Sequence, residues 1–348
     1  MDVQPSYRLP PEWEPHEATW LVWPQNSNDW PGKFGSIKWV YSEIIKNLVP
    51  SERIRILVDS EKARESAEFT LNKSGIYSDQ IEFYIIKTDR SWIRDSGSMF
   101  VTKDGVPIIL NFKFNGWAKY KNWEYDNKVP SEISSALGMS KLDLTDGGDG
   151  LVLEGGSIDT NGSGTLITTA QCLLNNQTQV RNFGFQRKDY EELFRKYFGI
   201  ENVLWLGDGI AGDDTNGHVD DLCRFVNRSV VVLSVEDNAD DINYVPLKEN
   251  LERISGMRLE DGFRIEVVKL PMPSPIYFDN ERLPASYANF YIANSIVLVP
   301  TFNDAKDKYA LGIISELFPD RIVVGINSTD LIWGLGAIHC MTKEQPLT

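Results

Sequence analysis

The sequence predicts a single α/β domain in which a unit of β-hairpin, helix and strand recurs about five times and closes into a ring. The clearest sign is a set of turn asparagines, Asn161, Asn227 and Asn294, which stand 66 and 67 residues apart. Each asparagine is followed by a run of β-branched residues, which is typical of a hairpin. A helical pattern and a further apolar strand follow each hairpin, so the period describes a repeated structural unit.

The three clearest copies of the unit lie in the second half of the chain. Their hairpins are predicted at 159–169, 224–235 and 290–302. Their helices are predicted at 187–199, 246–256 and 306–319, and their last strands at 202–207, 263–271 and 321–327. One such unit cannot bury its apolar faces alone, so we expect the units to pack against one another.

Two looser copies precede these three. The first combines a strand at 18–24 with a helix at 37–48 and a strand at 53–59. The second combines a hairpin at 98–112 with a helix at 130–138 and a strand at 150–156. No low-complexity linker interrupts the chain, so we expect one domain over residues 1–348.

Composition limits the classes of partner. The net charge of −15 argues against nucleic acid, because phosphate binding needs a basic surface, and is compatible with a cationic ligand. The sequence shows no signal peptide and no apolar run of the ~18 residues that a membrane span requires. The three cysteines, Cys172, Cys223 and Cys340, are widely spaced and odd in number, which indicates reduced thiols. We expect a cytoplasmic protein without nucleic-acid or membrane partners; homo-oligomerisation stays open.

Four polar, glycine-containing stretches fall at predicted strand ends or turns: TDRSWIRDSGS, VLEGGSIDTNG, GDDTNGHVDD and GLGAIHC. Three of them carry carboxylates beside glycines, and buried acids are costly without partners. On a strand His218 and Asp220 would share one face, and Asp221 would point away to solvent or to a structural contact. The same alternation would separate Arg94 from Asp95. These stretches are the candidate ligand site.

Simpler interpretations exist for each stretch taken alone. A histidine beside an aspartate in a loop is more often a surface hydrogen bond, and a cysteine near a chain end is more often buried and inert. The chain has no Cys-x-x-Cys or His-x-x-x-His pair, so we expect no metal ion. It also lacks the signatures of serine hydrolases, P-loop proteins and dinucleotide-binding proteins.

Taken together and in this order, the four stretches resemble the agmatine deiminase family, which belongs with the bacterial-type peptidylarginine deiminases. The resemblance extends from LPPEWEPHEATWLVWP through FNGWAKYKNWEYDN to the last residues. It implies a fivefold pseudo-symmetric α/β propeller of the pentein type, in agreement with the repeat count. The chain departs from the family in GLGAIHC, where Leu335 and Ala337 replace the usual Gly and Asn, and in Ser98, which replaces the usual Pro.

The resemblance implies a hydrolytic deimination through a covalent cysteine intermediate. It assigns Cys340 as the nucleophile, His218 as the general acid and then the general base, and Glu154 as the residue that orients His218. It assigns Asp95 and Asp220 as the two carboxylates that hold the planar guanidinium by charge-assisted hydrogen bonds. No cofactor is needed for this reaction.

Roles or orientations can also be predicted for three further residues. Asp214 matches a substrate-binding position of the family and would hold the far amine of agmatine. Trp92 would flank the aliphatic chain of the substrate, or else be a core tryptophan. His339, next to Cys340 on an extended backbone, would point to the opposite side. We therefore expect the partner of the cysteine to be the distant His218.

The function implied is conversion of agmatine to N-carbamoylputrescine and ammonia, as in putrescine biosynthesis. The alternatives within the fold are a deiminase of free or peptidyl arginine and an amidinotransferase. The alternative from another class is a non-catalytic sensor of cationic metabolites. Retention of the cysteine, the histidine and the acids argues against the sensor, because binding alone needs no nucleophile.

Overall fold

The computed structural model describes residues 7–144 and 150–347. In these residues the longer α-helices are Phe34–Leu48, Glu61–Lys73, Val129–Leu137, Arg187–Phe198, Tyr244–Ser255 and Asp307–Leu317. Ile93–Ser96 and Ala170–Leu173 are single helical turns. None of these helices has the length and apolar character that a bilayer crossing would require.

Three sheets in the second half of the chain repeat one pattern. An antiparallel pair of strands is followed, after a helix, by a third strand that runs parallel to the second. The strands are Ile158–Thr160, Thr165–Thr169 and Asn202–Leu206; Cys223–Phe225, Val230–Val235 and Glu266–Pro271; and Tyr291–Ile292, Ile296–Thr301 and Ile322–Asn327. The hairpin, helix and strand units predicted from the asparagine spacing are therefore confirmed.

Local chemistry explains where these elements begin and end. The side-chain oxygen of Asn161 accepts hydrogen bonds from the backbone amides of Ser163 and Thr165 at 2.9 and 3.0 Å, which fixes the hairpin turn. The helix Arg187–Phe198 begins with a reciprocal capping box. It ends at Gly199, whose φ of 69° lies in the left-handed region that glycine adopts without strain.

The first unit is completed by a strand from the other end of the described chain. The strand His16–Val22 runs parallel to Arg53–Val58, as the sequence pattern predicts. Its antiparallel partner is Lys343–Pro346, which lies more than 300 residues away in sequence. The sheet is extended by Ile81–Ile85, a strand that the pattern did not predict. The first unit thus contains strands from both ends of the described chain.

The second unit shows one wrong prediction. Its hairpin forms as expected from Met99–Lys103 and Val106–Asn111, with Tyr7–Arg8 added at the edge. The parallel third strand is Lys141–Asp143, whereas the prediction placed it at 150–156. Within 150–156 only Val152 pairs, in a single bridge to Lys113. The rest of that stretch leaves the sheet, and its Glu154 and Gly156 lie against His218 and Asp95.

The core packs between the sheets and the helices, and the site borders it. Trp23, Trp30 and Tyr41 are almost fully buried in one apolar cluster that also includes Trp92 and Cys340. The cysteine sulfur is therefore attached to a well-packed and rigid part of the molecule.

Candidate active site

A cavity of about 510 Å³ contains four of the residues singled out in the sequence: Trp92, Asp95, Asp214 and Cys340. Much of the remaining wall is aromatic, from Trp117, Tyr120, Phe278 and Trp333. Phe278 belongs to a two-stranded hairpin, Tyr277–Phe278 with Glu281–Arg282, that forms part of the cavity edge. His218, Glu154 and Asp220 are buried behind the wall. Apolar walls with a few convergent polar groups are typical of small-molecule sites.

Cys340 lies on a turn and is buried with 8% exposure. Its sulfur accepts a hydrogen bond from Asn289 Nδ2 at 3.1 Å and lies 3.8 Å from Asp220 Oδ2. Burial and the carboxylates of Asp220, Asp221 and Asp95 raise the pKa of this thiol well above its ordinary value. In the free protein the thiol is therefore kept in its neutral form by the carboxylates beside it.

Asp95 lies in the single helical turn Ile93–Ser96, so the prediction of a strand here was wrong. Its two oxygens accept hydrogen bonds from Trp117 Nε1 at 2.8 Å and from the backbone amide of Gly156 at 2.9 Å. Burial raises its pKa above the ordinary value, although His218 and Trp117 favour the ionised form. A side chain at position 156 would place its Cβ 2.8 Å from Asp95 Oδ1, so only glycine permits this approach.

His218 precedes a short 3₁₀ turn, Val219–Asp221, in place of the predicted strand. Its ring Nδ1 lies 3.7 Å from Asp95 Oδ1 and 4.0 Å from Asp220 Oδ1. Its Nε2 lies 3.7 Å from Glu154 Oε2. Burial would lower the pKa of His218, but Asp95, together with Cys172 and Glu154, raises it well above the ordinary value. The ring is thus poised as an imidazolium that can donate a proton.

Glu154 is held by an arginine that the sequence analysis did not single out. Arg181 Nε donates to Glu154 Oε1 at 2.8 Å, and Arg181 itself donates to the backbone carbonyls of Gln179 and Thr215. Burial alone would raise the pKa of Glu154, but Arg181 and His218 lower it to about 2. The other oxygen, Oε2, faces His218 and has no hydrogen-bond partner among the described residues.

Asp220 and His339 form a contact that was not expected. His339 Nδ1 lies 2.7 Å from Asp220 Oδ2, and His339 Nε2 lies 2.8 Å from Glu12 Oε2. The expectation that His339 points away from the site was wrong, because residues 338–341 form a turn and are not extended. Burial would raise the pKa of Asp220, yet His339 lowers it below the ordinary value. Asp220 Oδ1 has no hydrogen-bond partner within 7–144 and 150–347.

Asp221 does not reach solvent. It is 3% exposed, and its Oδ1 accepts a hydrogen bond from Asn289 Nδ2 at 3.0 Å. Of the two expectations for this residue, the structural contact is confirmed and the solvent contact is wrong. Asn289 touches both Asp221 and the sulfur of Cys340, and no local sequence signal indicates it.

Asp214 lies at the rim of the cavity with two partners of its own. It accepts hydrogen bonds from Lys119 Nζ and, at 2.6 Å, from Tyr120 Oη. Arg90 also lines the cavity; its guanidinium lies 4.0 Å from the centre of the Tyr120 ring and 3.3 Å from Asp29 Oδ1. Both charges at this rim are therefore paired in the free protein.

Trp92 combines the two roles expected for it. It lines the cavity but is only 6% exposed, and its ring packs 5.2 Å from that of Trp30. The backbone of Gly336 approaches the ring so closely that an added Cβ would lie 2.7 Å from it. The tryptophan is thus a core residue with one edge in the cavity.

The departures from the family pattern are at Leu335, Ala337 and Ser98. Leu335 lines the cavity with a φ of 68°, a left-handed conformation that costs a non-glycine residue ~1 kcal/mol. Ala337 is fully buried, and so is Ser98, whose hydroxyl has no hydrogen-bond partner among the described residues. The loop before Cys340 therefore keeps a glycine-type backbone while placing an apolar side chain in the cavity.

Two groups of side chains bring potential metal donors together. In the first, donor atoms of Glu154, Cys172 and His218 lie within 4.8 Å of one another, and in the second those of Asp220, Asp221 and Cys340 do. Arg181 already occupies one oxygen of Glu154, and its positive charge opposes a cation in the first group.

The chain is similar to known proteins in both sequence and fold. A model of the Porphyromonas-type peptidyl-arginine deiminases matches residues 8–346. The agmatine deiminase of Ectopseudomonas mendocina is 31% identical over an alignment that covers 98% of this chain and 96% of the relative. The solved agmatine deiminase of Enterococcus faecalis is 29% identical, with a TM-score of 0.90 over 98% of this chain and 96% of that one.

A substrate-bound agmatine deiminase of C. jejuni is 27% identical, with a TM-score of 0.87 over 99% of this chain and 98% of that one. The similarity thus extends over nearly the whole of each protein and includes the mixed α/β fold. Sequence and fold agree that the chain belongs to the Porphyromonas-type peptidyl-arginine deiminase family.

Proposed function

We propose that this protein hydrolyses agmatine to N-carbamoylputrescine and ammonia through a covalent intermediate on Cys340. The observation that carries the proposal is the thiol of Cys340 at a cavity wall, with the buried carboxylates of Asp95 and Asp220 close to it. A guanidinium that donates hydrogen bonds to these carboxylates would lie directly before the sulfur. The family and the agmatine deiminases similar to this chain support the same reaction.

Asp95 and Asp220 are the groups that would hold the guanidinium. Asp220 Oδ1 is buried without a hydrogen-bond partner among the described residues, so it is free to accept a guanidinium N–H. Asp95 is fixed by Trp117 and Gly156 and needs no rearrangement when the ligand arrives. Two carboxylates on a planar cation fix the orientation of its central carbon before the sulfur. Binding also offsets the charges that raise the pKa of Cys340, which promotes its ionisation.

The first half of the reaction forms a bond between Cys340 Sγ and the guanidinium carbon. The thiol proton is released to solvent as the sulfur attacks, and His218 donates the single proton that the departing nitrogen needs, so neutral ammonia leaves and His218 becomes neutral. The positive charge stays on the thiouronium intermediate. Glu154 keeps His218 oriented, because its own position is fixed by Arg181.

The second half consumes one water molecule. His218, now neutral, accepts a proton from the water as its oxygen attacks the same carbon. The bond from carbon to sulfur then breaks, the second proton of the water regenerates the thiol, and the ureido product leaves with His218 again protonated. The histidine thus acts first as an acid and then as a base.

We propose further that the five units close into the fivefold pseudo-symmetric α/β propeller of the pentein type, in one domain over residues 1–348. The hydrogen bonds between Lys343–Pro346 and the strand His16–Val22 support closure. The free state of Cys172, Cys223 and Cys340 supports a reducing, cytoplasmic environment.

A substrate panel tests the reaction. The purified protein is incubated with agmatine, with arginine and with an arginine peptide, each with and without an added amine, and ammonia and ureido products are measured. Ammonia with ureido product from agmatine supports the proposal. A guanidino-amine product without ammonia would identify an amidinotransferase, and binding without any product would identify a sensor.

The far end of the substrate leads to a specific prediction. We expect agmatine to be preferred over arginine by at least ~10²-fold in kcat/KM, or ~3 kcal/mol, because Asp214 attracts an ammonium and repels a carboxylate. Asp214→Asn should shrink this preference to ~10-fold, mainly by weakening agmatine. Lys119, released from Asp214, would in addition attract the arginine carboxylate. The measurement is kcat/KM for both substrates in the two proteins.

Asp279→Asn is the matched control, because Asp279 is another carboxylate of the cavity wall. We expect this variant to keep the preference of the parent protein. A preference lost in Asp279→Asn and kept in Asp214→Asn would show that the hairpin at the cavity edge recognises the substrate's amine.

A further inference from the structure

His339 lies between two buried carboxylates and touches one that is proposed to hold the substrate. Its Nδ1 lies 2.7 Å from Asp220 Oδ2 and its Nε2 lies 2.8 Å from Glu12 Oε2, while the ring is 3% exposed. An ionised carboxylate only accepts hydrogen bonds. Each ring nitrogen lies within hydrogen-bonding distance of a carboxylate oxygen, so the ring bridges the two acids.

Glu12 is the fixed end of this bridge. Its Oε1 accepts from Arg224 Nη2 at 2.9 Å and from the backbone amide of Ile292 at 2.8 Å. Its Oε2 accepts from Arg94 Nη2 at 3.0 Å as well as from His339. With four donors and two buried arginines, Glu12 cannot shift without breaking several charge-assisted hydrogen bonds.

Asp220 is the end that faces the reaction. Oδ2 lies 2.7 Å from His339 Nδ1 and 3.8 Å from the Cys340 sulfur, while Oδ1 has no hydrogen-bond partner among the described residues. A carboxylate with one oxygen occupied can turn its other oxygen in only a few directions. The contact thus leaves Oδ1, and not Oδ2, available to an incoming cation.

We propose that His339 is a positioning residue, which transmits the fixed position of Glu12 to Asp220 and so presents Asp220 Oδ1 to the guanidinium. This inference rests on the proposed function for the identity of the bound cation. It adds a second buried histidine to the site, with a role distinct from that of His218: His339 holds a carboxylate, whereas His218 transfers protons.

Two substitutions of His339 test its contacts with Asp220 and with Glu12 one at a time. An asparagine amide nitrogen takes the place of Nδ1 and a glutamine amide nitrogen that of Nε2. His339→Asn therefore keeps a donor for Asp220 and loses the one for Glu12, whereas His339→Gln keeps the donor for Glu12 and loses the one for Asp220. If His339 only stabilised the fold, the activities of the two variants would follow their stabilities.

We expect instead that the less stable of the two variants is the more active one. His339→Gln should lower kcat/KM for agmatine by ~10²-fold, mainly through a higher KM, and His339→Asn by less than ~5-fold. The melting temperature should fall more in His339→Asn, which leaves Glu12 without one of its four donors. In a Cys340→Ala background, which measures binding without turnover, His339→Gln should raise the Kd of agmatine at least ~10-fold and His339→Asn less than ~3-fold.

His16→Gln is the control for loss of a buried histidine. His16 contacts Glu52 and the backbone carbonyl of Glu12 but none of the candidate catalytic residues. It should lower stability and leave the Kd of agmatine unchanged. Methylguanidine, the bare cation, is titrated in parallel so that the result does not depend on agmatine being the substrate.

The outcomes are distinct. If the wild type releases no ammonia from agmatine but methylguanidine binding still separates the Asn and Gln variants, the proposed function fails and the inference stands. If both variants bind guanidinium compounds equally well, or if the Asn variant is the weaker binder, the inference is overturned whatever the substrate. Absence of guanidinium binding in the Cys340→Ala protein overturns both.

If His339→Gln does not fold, the Asn variant alone decides. It should keep near-parental agmatine affinity despite a lower melting temperature, and a tenfold or larger rise in its Kd would contradict the role assigned to the Asp220 contact.

Discussion

Replacing Cys340 with alanine is expected to abolish ammonia release from agmatine while the protein stays folded and still binds the substrate. The sulfur is the only atom proposed to form a bond with the guanidinium carbon, so its loss removes the covalent path. The residues proposed to hold the cation, Asp95 and Asp220, keep their own contacts with Trp117, Gly156 and His339. Turnover, the melting temperature and the Kd of agmatine are the three measurements.

The intermediate itself can be observed. Wild-type protein quenched in acid during turnover should show, by mass spectrometry, the mass of an amidino adduct on the peptide that contains Cys340. Cys223→Ala is the matched control, because Cys223 is also a buried cysteine and lies in a strand outside the cavity. It should retain activity. Substantial turnover by Cys340→Ala, or an adduct on another cysteine, would contradict covalent catalysis at this residue.

His218→Ala is expected to lower kcat by ~10³-fold or more, on the scale of losing one member of a catalytic triad. Without the ring, the departing nitrogen has no proton donor and the water has no base. The cavity wall should remain, because Asp95 and Asp220 are fixed by other groups, so KM should change much less than kcat. Steady-state kinetics with agmatine give both parameters.

The control for this experiment is His16→Ala, which removes the remaining buried histidine outside the site. A loss of stability without a comparable loss of kcat is expected there. A decrease of less than tenfold in His218→Ala would show that another group transfers the protons, and Glu154 would be the next residue to replace.

The repeated units were predictable because their signals are local. The side-chain oxygen of a turn asparagine such as Asn161 accepts hydrogen bonds from within four residues, and the helix Arg187–Phe198 carries its own cap and its own terminating Gly199. The strand Lys141–Asp143 was missed because three residues carry too little periodicity to be distinguished from a loop. The strand Lys343–Pro346 depends on a partner far away in sequence.

The candidate site was predictable only in part. The family resemblance of the four glycine-containing stretches implied Asp95, Glu154, His218 and Asp220, and the structure brings these four together. The groups that hold them, such as Arg181, gain their roles only from tertiary contacts. The errors at Asp95 and His339 have a common cause: both were assigned to extended backbone, whereas a helical turn and a loop turn change the direction of each side chain.

The pairing of Lys343–Pro346 with His16–Val22 has a consequence for how activity is acquired. Cys340 lies three residues before one of these strands and Glu12 lies four residues before the other, so the pairing places them in the same part of the molecule. Bringing such distant segments together carries a large loop-closure entropy and tends to be slow.

During refolding from denaturant, secondary structure and enzymatic activity should therefore recover at different times. Far-ultraviolet circular dichroism should recover early, from the helices and local hairpins, whereas enzymatic activity should recover with the slowest kinetic phase. Gln345→Pro removes a backbone donor from the strand that pairs with Ala18 and should slow recovery of activity more than recovery of secondary structure. Simultaneous recovery of both signals would show that the ends pair before the local units are complete.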